Sequence, residues 1–144
     1  MALVLAVVAL GCGGITFHHA SRKDLPLVPG ARVLAAFDDA PVDYGASHDY
    51  LLTLIVLGPR GLTSPAFKQQ QFERLLAAGW RRSAPHFAIE LAAVRPESKL
   101  SATVATLHDA QADAGYVPDE LARAARAARA SGRPALVVGL LPTS

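Results

Sequence analysis

The sequence predicts an α+β fold of two layers, and three observations carry that reading. The run Tyr50 to Leu57 is apolar on both alternating sets of positions, as a central strand should be. Two segments, one opening at Ser64-Pro65 and one at Pro118, carry helix punctuation at both ends. Shorter alternating segments lie between and after them. The chain has 144 residues, 51% of them hydrophobic and 18% charged, which suits one globular core rather than two. A single cysteine excludes an internal disulfide and any zinc site built from several cysteines. Fourteen Lys and Arg against twelve Asp and Glu leave a net charge of only +2, too weak a field to suggest a nucleic-acid partner.

Taken in order, Ala31 to Phe37 reads as a short strand. The polar stretch 38–49, with Pro41 and Gly45, reads as a loop. In the strand that follows, Tyr50, Leu52, Leu54 and Val56 share one face and Leu51, Ile55 and Leu57 the other, and Gly58-Pro59 ends it. Ser64 suits a helix N-cap and Pro65 the first helical position; Phe72, Leu75, Leu76 and Gly79 then fall on one side, flanked by Phe67. Gly79 fits a left-handed C-terminal cap, with Trp80 folding back as a lid on the core.

His86 to Val94 alternates as a strand, RPESK makes a hairpin turn, and Leu100, Ala102 and Val104 align on a second strand. HDAQADAGY reads as polar loop. Asp119 and Glu120 open an Ala-rich helix that ends at Gly132, with Leu121, Ala124, Ala125 and Ala128 as its packing stripe. The last strand is PALVVGLLP, where Gly139 marks a bulge or a close approach.

After the first strand, the order strand, helix, strand, strand, helix, strand is that of the split β-α-β, ferredoxin-like arrangement. It is an antiparallel sheet with two helices on one face. The Ala31–Phe37 strand would then be an extra at a sheet edge, or pair directly with Tyr50–Leu57. With both helices on one face, Leu51, Ile55 and Leu57 are left as an apolar row on the open face. That row is the expected interaction surface, for an envelope protein or for a second copy of the chain.

The N-terminal stretch points to location. Ala2 to Leu10 is an uncharged apolar run of the length of a signal-peptide core, followed by small residues and Cys12. Gly11-Cys12 resembles the lipobox of bacterial lipoproteins. Ala9 stands where that family usually has Leu, and no Lys or Arg precedes the run. The Ala, Arg, Gly and Pro richness of the whole chain likewise resembles small uncharacterised lipoproteins of actinobacteria. The resemblance implies a signal peptide over residues 1–11 and lipidation at Cys12. It also implies a tether over residues 12–30 and a single domain over 31–144, anchored in the cell membrane by lipid and facing the extracytoplasmic side.

No residue cluster carries a reaction signature. Ser47, His48 and Asp49 are consecutive and cannot converge as a triad. His18 and His19 lack further ligands, and His86 and Glu90 on one strand would stand roughly 13 Å apart. His108, Asp109 and Asp113 have no ligand spacing. Phosphate loop, dinucleotide fingerprint, HExxH and nucleophile elbow are all missing from the sequence. Arg123, Arg126 and Arg129 make the solvated side of the last helix. The expectation is therefore a membrane-tethered binding domain without cofactor or metal. The alternative is an envelope hydrolase or transferase using His48, Asp49 or His108 from loops.

Overall fold

A computed structural model describes residues 16–38, 42–44, 47–113 and 119–143. The main body is an α+β domain built on a six-stranded sheet. Its strands are β2 (Arg32–Asp38), β5 (Leu52–Leu57), β6 (Arg81–Ser83), β7 (Leu91–Arg95), β8 (Leu100–Thr106) and β9 (Ala135–Pro142). They lie in the order β2-β5-β9-β8-β7-β6, and every neighbouring pair is antiparallel. A small second sheet joins β1 (Thr16–His19), β4 (Ser47–Tyr50) and β3 (Val42–Tyr44), with β1 parallel to β4. The helices are α1 (Ser64–Ala77), α2 (Leu107–Asp113) and α3 (Asp119–Ala130).

The first face of the main sheet presents Leu52, Leu54, Val56, Ala102, Val104, Leu136, Val138 and Leu140 to Phe67, Phe72 and Leu75 of α1. Local chemistry sets that helix. Thr63 is the N-cap, accepting a hydrogen bond from the Ala66 N–H, so the helix opens one residue earlier than Ser64 as cap would have it. At the other end Gly79 has φ +95°, and the Gly79 and Trp80 N–H groups donate back to the Leu76 and Leu75 carbonyls. This is the left-handed cap that Gly79 predicts, and it folds Trp80 into the core.

The same face also holds Ala20, Leu25 and Val28, so residues 20–30 belong to the folded body and are not a free tether. Gln71, fully buried on α1, fastens them: its Oε1 accepts from the Val28 N–H at 3.1 Å and its Nε2 donates to the Pro26 carbonyl at 2.7 Å. Arg133 adds a second clasp, donating through Nε to the Gly58 carbonyl at 2.8 Å and through a terminal nitrogen to the Gly30 carbonyl at 3.2 Å.

The second face corrects the ferredoxin-like expectation. A split β-α-β unit sets β5 beside β8; here β9 lies between them and pairs with both. The link from β8 to β9 joins antiparallel neighbours and is free of the handedness that governs parallel crossovers. Its helices go where apolar surface needs covering. Ile55 and Leu57 pack with Leu107 of α2 and with Leu121, Ala124, Ala125 and Ala128 of α3, so helices cover both faces instead of one. Alanines let α3 approach closely over β2 and β5, and the open row expected at Ile55 and Leu57 is closed by the chain itself.

Three local expectations also change. The strand expected from His86 starts only at Leu91, because residues 86–89 turn and the Glu90 N–H bonds the Phe87 carbonyl. The loop expected after Leu107 begins as α2, where Thr106 Oγ1 accepts from the Asp109 N–H in the manner of a cap. The stretch 38–49, expected as loop, contributes β3 and β4. Leu100–Thr106 is the strand that its alternation predicts, and of the two places open to the first strand β2 takes the pairing with β5, through an irregularity between Val33 and Ala35.

Candidate functional site

The second face is covered unevenly. α3 lies over β2 and β5, and α2 meets β8 and β9. Between α2 and the loop 84–90 the sheet carries small side chains, and a cleft of about 470 Å³ remains above them. Its floor is Thr53 from β5, Val137 and Gly139 from β9, and Thr103 and Ala105 from β8. Register explains the grouping: Thr53 and Thr103 both stand opposite Gly139, and Ala105 stands opposite Val137. Leu51 and Ala110 wall one part; Phe87, Ile89 and Glu90 of the loop wall another.

Gly139 is the close approach that its position in the strand predicts. A Cβ there would sit 2.9 Å from Thr103 Oγ1 and 3.5 Å from Leu51 Cδ1, so the missing side chain is what leaves the floor low. The loop wall is held from the far side of the sheet edge, where Lys68 of α1 donates from Nζ to the Ile89 carbonyl at 2.6 Å. Phe87 stands at the rim, 58% exposed, an unusual position for a large aromatic.

Among the described residues the polar chemistry in the cleft consists of the hydroxyls of Thr53 and Thr103 and of Glu90, the one ionisable residue of that lining. Glu90 Oε2 is buried with no hydrogen-bond partner among the described residues. An unpartnered buried acceptor costs about 1–3 kcal/mol, more when charged, so such an atom calls for a donor. Among the described residues no histidine or cysteine lines the cleft.

The residues singled out by the sequence scatter. Leu51 lines the cleft, whereas Ile55 and Leu57 are buried under α2 and α3. Glu90 and His86 do not share a strand; His86 lines a neighbouring groove that meets the cleft at Thr103. Ser47, His48 and Asp49 lie on β4, whose register sets His48 opposite Asp43 and Phe17, and Asp49 opposite Val42 and His18. His108 is exposed on α2, and Arg123, Arg126 and Arg129 are exposed on α3. Cys12 lies outside the described residues.

Among the described residues no group of three His, Cys, Asp or Glu is placed to hold a metal ion, and no helix is long and apolar enough to cross a membrane. Thr103, Phe87 and the lining role of Glu90 were not signalled by the sequence, because strand pairing brings Thr103 to the cleft and a turn brings Phe87 and Glu90. Gly139 was. Comparison with protein-family models, with curated proteins and with solved structures finds no match, so the reading of the cleft rests on its own residues.

Proposed function

We propose that this chain is a membrane-tethered extracytoplasmic binding domain whose ligand is a small, largely apolar molecule held in the cleft on the second sheet face. The observation that carries the reading is the cleft itself. About 470 Å³ is within the range of small-molecule sites, and an apolar lining with a few polar groups is their usual chemistry. Affinity would come from removing apolar ligand surface from water against Leu51, Ile89 and Val137, at about 25 cal/mol per Å². The threonine hydroxyls and Glu90 would orient it.

Binding of octanol, a neutral apolar probe, tests this by calorimetry. The unmodified chain should take one molecule, and Thr103→Leu, which raises the floor, should abolish uptake without unfolding the domain. Uptake unaffected by Thr103→Leu would place the probe elsewhere and end the proposal.

The tether is proposed on Gly11-Cys12, after the lipobox it resembles, and two acyl chains would hold durably where one is marginal. Only Gly13, Gly14 and Ile15 separate Cys12 from β1, a span of at most about 14 Å. A domain so attached would lie against the membrane surface rather than stand off it. Mass spectrometry of membrane fractions should find a mature N-terminus at Cys12 with acyl mass, lost in Cys12→Ser; an intact Met1 in the cytosol would refute the anchor.

A further inference from the structure

Resting on the cleft reading, we infer that the ligand is an apolar molecule bearing a protonated amine, with the amine on the Glu90 carboxylate and the apolar body over Gly139 and Thr103. Three observations converge on that chemistry. Among the described residues Glu90 is the one ionisable group lining the cleft, and it is acidic. Its Oε2 is buried and has no hydrogen-bond partner among the described residues. Lys68 reaches this loop, but its ammonium is directed at the Ile89 carbonyl and not at the neighbouring carboxylate. A ligand ammonium beside Glu90 would meet its carboxylate in a charge-assisted interaction, roughly twice as strong as a neutral hydrogen bond.

The remaining lining fits the rest of such a molecule. Leu51, Val137 and Ala105 offer apolar contact, and the absence of a side chain at Gly139 leaves depth for a chain or ring. Phe87, exposed at the rim next to the carboxylate loop, presents an aromatic ring to a cation entering or leaving. Among the described residues an anionic ligand would meet Glu90 and two hydroxyls, and its charge would be opposed rather than matched.

Calorimetric titration of the full chain with octylammonium, octanol and octanoate at neutral pH tests the inference. Octylammonium should bind at least tenfold more tightly than octanol, and octanoate more weakly than either. Glu90→Gln should remove the preference, bringing octylammonium to the level that octanol shows on the same variant. Equal binding of octylammonium and octanol overturns the amine and leaves the cleft reading standing; binding of none of the three overturns both. The order among the probes is read on the unmodified chain, so it decides the matter even if the variant folds poorly.

Discussion

Gln71→Leu isolates how the chain before the first main strand is held. Gln71 is fully buried, and its amide is the partner of both the Val28 N–H, at 3.1 Å, and the Pro26 carbonyl, at 2.7 Å. Leucine keeps nearly the volume, so packing against Phe67 and Phe72 survives and the loss is polar. Stranding the buried Val28 N–H costs about 1–3 kcal/mol, and the less enclosed Pro26 carbonyl about 0.5–1.5 kcal/mol. Leucine returns roughly 1 kcal/mol of apolar burial. The net destabilisation is then about 1–3 kcal/mol, a fall of order 1 M in the urea midpoint with an unchanged slope. Amide exchange adds a local readout: Val28 should lose protection more than Leu54 or Val138 in the sheet centre. A variant within about 0.5 kcal/mol of the parent, with Val28 equally protected, would refute the clasp.

Two other substitutions probe the frame. Gly58→Ala sets a Cβ 2.6 Å from the Phe67 ring and should destabilise by about 1–3 kcal/mol in urea melts. Adding Phe67→Leu should cost less than the two changes summed, and strict additivity would count against that contact as the cause. Arg133→Ala removes donors from the Gly58 and Gly30 carbonyls and should lower stability by about 1–2 kcal/mol. Arg133→Lys, which lacks the planar fork, should recover less than half of that loss by the same measurement.

Much of the fold was legible where the signal is local. The apolar run of β5, the Gly79 cap of α1 and the alanine stripe of α3 each act within a few residues and stand where their spacing predicts, while the N-cap of α1 falls on Thr63, one residue before Ser64. Strand order was not legible, because β9 reaches its place between β5 and β8 through pairings with residues 30–42 positions away in β8 and 78–88 positions away in β5. Alternation misled at His86–Glu90, where a turn closed by the Glu90 N–H on the Phe87 carbonyl displays the same pattern of apolar and polar residues as a strand. Its consequence for the site was large. A strand would have put Phe87 and Ile89 into one sheet face, whereas the turn sets both, with Glu90, around the cleft.

The cleft follows from two anchors as much as from its small floor. Side chains as slight as Gly139, Thr103 and Ala105 would invite any mobile cover to collapse onto them, because a void forfeits dispersion contacts on every lining atom. Neither wall is free to do so. α2 is tied at its start by Thr106 Oγ1 and by Leu107, buried among Ile55 and Ala128. The loop is tied by Lys68 on the Ile89 carbonyl and by its own turn. The separation of the walls is therefore set by packing outside the cleft. A space maintained in that way, with an unmatched carboxylate oxygen beside it, is a pre-formed site, and pre-formation lowers the ordering cost that a ligand would otherwise bear.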